Sequence, residues 1–201
     1  MNYKTTNLPF KLKLASVFVL SGLMPVLAHA HPLPGETHSF AAGFTHPLSG
    51  LDHILAMVAV GLWAAQLGGR CRWAVPAAFV SLMIVGGALG MTGVYVPAVE
   101  SGIAASVLVL GILIAAAVKL PMLPGMALVG LFAIFHGHAH GTEIPAAASG
   151  LNYAAGFVLA TAGLHASGVA LGLLAQKHMP ALTLRLAGAT IAVVGICLWL
   201  V

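Results

Sequence analysis

Of the 201 residues, 60% are hydrophobic and only 6% are Asp, Glu, Lys or Arg, and the mean hydropathy is +1.04. A soluble domain carries about 25% charged residues, so a water-clothed globule is excluded and a polytopic membrane protein in contact with lipid is predicted. The net charge of +4 rests on eight scattered Lys and Arg, whereas a nucleic-acid footprint needs them clustered, so nucleic acid is excluded as a partner.

Lys4, Lys11 and Lys13 precede a short apolar run, Leu14 to Val26, and Ala28-His29-Ala30 follows. A basic start, a short apolar core and an A-x-A site define a cleavable signal peptide over residues 1–30, the alternative being an uncleaved first helix. Cleavage would leave residues 31–201, headed by His31. A free α-amine titrates at about 7.7–8, and with the His31 imidazole it could chelate a divalent ion. Pro32 has no amide N–H, which rules out binding through successive deprotonated amides.

Gly, Pro and charge divide residues 31–201 into six apolar segments, near 40–66, 73–95, 100–118, 124–141, 149–175 and 181–201. The expected fold is all-α: one bundle of six transmembrane helices, with no soluble domain. Beyond residue 30 every Lys and Arg (Arg70, Arg72, Lys119, Lys177 and Arg185) lies in or beside the first, third or fifth connection. This is the positive-inside pattern. Together with the signal peptide it predicts a multi-pass inner-membrane protein whose mature N-terminus is periplasmic. The acids Glu36, Asp52, Glu100 and Glu143 fall toward the opposite, outer side. Cys71 and Cys197 have no C-x-x-C spacing, so neither a disulfide framework nor a thiolate metal site is indicated.

In chain order, the first polar motif is HPLSGLDH, with His46, Asp52 and His53. An aspartate at the centre of a span costs about 2.5–3.5 kcal/mol on insertion scales and normally has a partner or a purpose. On a straight helix His46 and His53 lie two turns apart and Asp52 points elsewhere, but Pro47 and Gly50 offer a break that could gather all three. Irregular backbone is tolerated at membrane depth where it lines a cavity. Glu100 opens the third segment, where its charge suits a helix N-terminus. Phe79 is read from its surroundings as a packing or lipid-facing residue.

The second motif is FHGHAHGTE. At 100° per residue His136, His140 and Glu143 share one side of a helix, and His138 falls nearly opposite. Gly137 and Gly141 form a small-x-x-x-small stripe that admits a neighbouring helix. His165, well inside the fifth segment, reads first as a hydrogen-bonded core residue and second as a ligand.

Imidazole with carboxylate and no thiolate suits borderline divalent ions such as Ni2+, Co2+, Zn2+, Mn2+ and Fe2+. The donors crowd the outer half, which points to capture from outside and inward movement. The leading function is a secondary transporter of a divalent transition metal, with the ion as cargo and no prosthetic group. A Walker A motif is absent, so the chain does not itself use ATP, and H-E-x-x-H is absent, which speaks against an enzyme. The competing readings are an intramembrane metal-dependent hydrolase, a haem-binding electron carrier with paired intramembrane histidines, and a metal sensor.

At HPLSGLDH and FHGHAHGTE, and in its Gly/Ala-rich six-segment layout, the chain resembles the HupE/UreJ family of nickel/cobalt permeases. The resemblance implies uptake of Ni2+, or of Co2+, across the inner membrane, with an indirect link to hydrogenase or urease maturation. His46, Asp52 and His53 match the family's first motif, and His140 and Glu143 its second. Phe79 and Glu100 also resemble functional positions of the family, and His138 is not required by the pattern. A homo-oligomer is compatible with this reading.

Overall fold

The computed structural model describes residues 39–144 and 149–200; the expected signal peptide 1–30, and with it His31, lie outside them. Within the described residues the fold is all helical. Helix α1 (Ser39–Thr45) runs into a 3-10 turn (His46–Leu48), then come α2 (Leu51–Leu67), α3 (Cys71–Met91), α4 (Val99–Ala115), α5 (Met122–Thr142), α6 (Gly150–His178) and α7 (Ala181–Leu200).

Four of these, α3, α5, α6 and α7, are 20 to 29 residues long and apolar enough to cross a membrane. Ser39–Leu48 and Leu51–Leu67 together make a fifth candidate, bent by 78° at the break. The first segment, expected as one run over 40–66, is therefore a broken span. Pro47 sits at the start of the 3-10 turn, where a missing N–H leaves no carbonyl unpaired. Gly50 is extended (φ −99, ψ 127) as α2 begins. The segment expected at 100–118 is the 17-residue helix α4, about 26 Å long at 1.5 Å per residue. It stops early because Ala117 turns left-handed (φ 53). Side chains then cover carbonyls at and just past its end: Gln66 Nε2 donates to Ile114 at 3.2 Å, Arg185 Nε to Ala115 at 2.8 Å and Trp63 Nε1 to Val118 at 3.0 Å. The described helices make a multi-pass membrane bundle, hydrophobic all round. Leu123, Leu151, Leu182 and Leu200 point outward, while Met57, Trp63, Phe79, Leu110 and Ile114 are fully buried.

Close approach through glycine organises the packing, as membrane helices require when lipid is as apolar as their own side chains. A Cβ on Gly137 would run into the Met83 carbonyl, one on Gly141 into the Gly87 carbonyl, and one on Gly86 into the Ile134 carbonyl. These contacts seal α3 against α5. Gly61 and Gly168 do the same for α2 and α6, and Gly43 and Gly156 for α1 and α6, each facing a partner's carbonyl. Helix α4 pairs with α7 through Gly111, Gly188 and Gly195.

The basic residues gather at one end of the bundle, as the connections predict: Arg70 and Arg72 around the α2–α3 turn, Lys119 between α4 and α5, Lys177 closing α6 and Arg185 opening α7. Asp52, Glu100 and Glu143 stand at the other end, in the first turns of α2 and α4 and at the C-cap just past α5.

Candidate metal site

Breaking the first span aims its polar residues. In the 3-10 turn Ser49 closes back on His46, its N–H at 3.0 Å and its hydroxyl at 2.6 Å from the His46 carbonyl. Gly50 is needed next, since a Cβ there would crowd Asp52 Oδ1 and His53 Nδ1. With that space free, Asp52 Oδ1 accepts both the His53 amide (2.9 Å) and His53 Nδ1 (2.8 Å). The carboxylate thus fixes the His53 tautomer and presents Nε2 as a bare lone pair.

Helix α5 brings the second motif. His140 Nε2 faces His53 Nε2, and both residues are buried, at 5% and 8% exposure. Glu143 caps α5, and its Oε2 lies 3.3 Å from His140 Nδ1 and 3.2 Å from His46 Nε2. Donor atoms of His46, His140 and Glu143 all fall within 4.8 Å of one another, close enough to hold one metal ion. When the cluster carries a proton, hydrogen bonds from His140, first, and then from His46 hold the Glu143 carboxyl well below the usual carboxylate range, so it remains ionised.

The resulting chain runs Asp52, His53, His140, Glu143 and lacks one positive charge. Two neutral imidazoles bring two N–H groups to three contacts. His53 gives its N–H to Asp52, and His140 then gives its own to His53. His140 Nδ1 is left as a lone pair facing the Glu143 carboxylate. Acceptor against acceptor is repulsive, and only an additional cation, a proton or a metal, makes every contact favourable.

The remaining expected residues divide. His136 lies one turn below His140, its ring 5.2 Å from that of His53. Its Nδ1 donates to the Phe132 carbonyl at 2.9 Å, which leaves Nε2 unprotonated and without a partner among the described residues. Phe79 is fully buried, not lipid-facing, and its ring touches His136 on one side (5.5 Å) and His165 on the other (5.0 Å). His165 is buried, but neither ring nitrogen has a hydrogen-bond partner among the described residues, so the reading of a bonded core histidine does not hold. Glu100 is exposed and stays apart from the histidines; it shares with Asp52 a cavity of about 430 Å3 against Ser101 and Trp199. His138 is structural, its Nε2 donating to the Val94 carbonyl at 2.7 Å.

Aromatic residues of α6 were missed. The Phe157 ring packs 4.4 Å from that of His140 and the Tyr153 ring 6.0 Å from that of His46. The Tyr153 hydroxyl is buried and has no partner among the described residues. The usable signal was their i, i+4 spacing in the outer turns of a span.

Residues 18–198 match the family described as HupE / UreJ protein. The chain belongs to the HupE/UreJ family. A curated HupE/UreJ relative, Protein HupE of Rhizobium leguminosarum bv. viciae, is 46% identical over 175 residues, which cover 87% of this chain and 91% of the relative. No solved structure matches. The HupE/UreJ assignment agrees with the resemblance read from the two motifs.

Proposed function

We propose that this chain is a secondary transporter that carries a divalent transition metal, Ni2+ or Co2+, inward across the inner membrane to supply assembly of a metalloenzyme such as hydrogenase or urease. What carries this reading is the unfilled contact between His140 Nδ1 and the Glu143 carboxylate, with His46 Nε2 converging on the same oxygen. A dication there takes two imidazole nitrogens and a carboxylate in place of part of its water shell. The charge of Glu143 is used as ligand, and His53 braces His140 from behind through Asp52.

Conduction requires binding strong enough to strip water and weak enough to release. Three neutral or singly charged ligands without thiolate suit that compromise for borderline ions. Membrane potential assists entry by about 2.3 kcal/mol per charge per 100 mV, roughly doubled for a dication. The cavity shared by Asp52 and Glu100 offers a negatively charged vestibule beside the site. Basic residues at the far end of the bundle support a reading in which the cluster faces the outer mouth, by the positive-inside pattern.

The deciding experiment is uptake of radioactive nickel into vesicles reconstituted with the purified protein, with Co2+, Zn2+ and Mn2+ as competitors. Saturable uptake, driven by an inside-negative potential and suppressed by Co2+, is expected. Vesicles that accumulate no more nickel than protein-free ones would reject transport.

A further inference from the structure

Deeper in the bundle, the polar groups near Phe79 have no partner. His136 Nε2, both ring nitrogens of His165 and the Thr161 hydroxyl are buried without a hydrogen-bond partner among the described residues. Their residues are 0%, 2% and 0% exposed. Burying an unsatisfied polar atom is costly, and an apolar bundle has no structural reason to collect four of them.

Thr161 makes the point most sharply. A helical Ser or Thr satisfies itself by bonding the carbonyl four residues back. Thr45, Ser81, Thr92, Ser167 and Thr190 all do so here, at 2.8 to 3.1 Å. Thr161 does not. It lies one turn before His165, on the same side of α6.

The depth of this group separates it from the outer cluster. A Cβ on Gly61 would strike the His165 carbonyl, so α2 passes His165 at Gly61, eight residues or about 12 Å beyond His53. Ring contacts bridge that interval: His140 to His53, His53 to His136, His136 to Phe79 and Phe79 to His165. Phe79 is the one link in this series that cannot ligate a cation.

We propose that His165 and Thr161, with His136 on the far side of the Phe79 ring, form a second, inner station for a borderline divalent cation. The proposal rests on the transport reading for its purpose, but not for its ligands. His136 Nε2 already presents a bare lone pair, because Nδ1 is committed to Phe132. It receives the ion from the outer cluster, and Phe79 must turn aside before the ion reaches His165. The His165 imidazole, the Thr161 hydroxyl and retained water, joined by His136 Nε2 only once Phe79 has turned, make a weak, labile ligand set, suited to a halting point and not to a resident metal.

The test uses Co2+ alone with the purified full-length chain in detergent, followed by the visible absorption of the bound ion. The wild type should bind two Co2+ per chain, the second more weakly, and His165→Leu only one, with the tight site unchanged. Thr161→Val, nearly isosteric, should weaken the second ion about tenfold. One Co2+ per wild-type chain, or two per His165→Leu chain, would overturn the station. Should His165→Leu fail to accumulate, an unchanged second affinity in Thr161→Val would do the same. In vesicles His165→Leu should slow Co2+ uptake at least tenfold at saturating metal without raising the half-saturating concentration. Wild-type vesicles that bind Co2+ but never take it up would sink the transport reading, while the stoichiometry would still decide the station.

Discussion

His53 and His140 meet Nε2 to Nε2 although 87 residues separate them. Asp52 stands behind the first ring and Glu143 beside the second. Two carboxylates thus bracket a pair of imidazoles.

Loss of the outer charge should weaken binding with little change of shape. Glu143→Gln is expected to lower Ni2+ affinity by roughly tenfold or more, since it removes the one charged ligand while keeping an oxygen donor in its place. Calorimetric titration of the purified protein against the wild type checks this, and an unchanged affinity would remove Glu143 from the ligand set.

Asp52 acts through His53. Asp52→Asn keeps the shape but no longer favours the tautomer that points Nε2 at His140, a loss of orientation that typically costs 10–100-fold in metal affinity. Asp52→Ala and His140→Ala should abolish nickel accumulation in cells while membrane abundance stays normal. Normal uptake in either would count against the cluster.

Acid should compete with metal. Ligating imidazoles must be deprotonated, so binding releases protons and affinity falls as pH drops below neutral. Glu143 is held ionised by His140 and His46, so its protonation does not add to the loss over that range. Affinity should be lower in acid than at about pH 7.5, with proton release on binding detectable in weak buffer. A flat profile would exclude imidazole ligation.

The glycine seal between α3 and α5 should tolerate no side chain. Gly137→Ala drives a methyl into the Met83 carbonyl, an overpacking that costs about 1–3 kcal/mol. The melting temperature in detergent should drop, whereas Gly163→Ala, which meets open space on the exposed side of α6, should leave it unchanged or raise it.

Much of this was legible in the sequence because membrane proteins spend polarity sparingly. FHGHAHGTE could be turned into a face by helical spacing alone, and its Gly137 and Gly141 do seat α3. Pro47 and Gly50 marked the place where the first span breaks. The break itself, 78°, was not predictable, since it depends on how α1 lies against α6. Equally hidden were the partners across helices: spacing cannot say that His46 reaches Glu143, that Asp52 faces a cavity with Glu100, or that Phe79 is wedged between two histidines. His165 looked like an ordinary core histidine because a sequence does not show which buried nitrogens lack a partner.

The glycine contacts also partition the donors. His46, Asp52, His53 and His165 ride on the unit welded from α1, α2 and α6, whereas His136, His140, Glu143 and the intervening Phe79 ride on the unit welded from α3 and α5. The two halves of the proposed coordination sphere therefore stand on different sets of helices, and a dication held there would tie them together across their seam. Once it leaves, a single imidazole contact and one shared carboxylate oxygen are what the polar residues still offer to keep the halves shut.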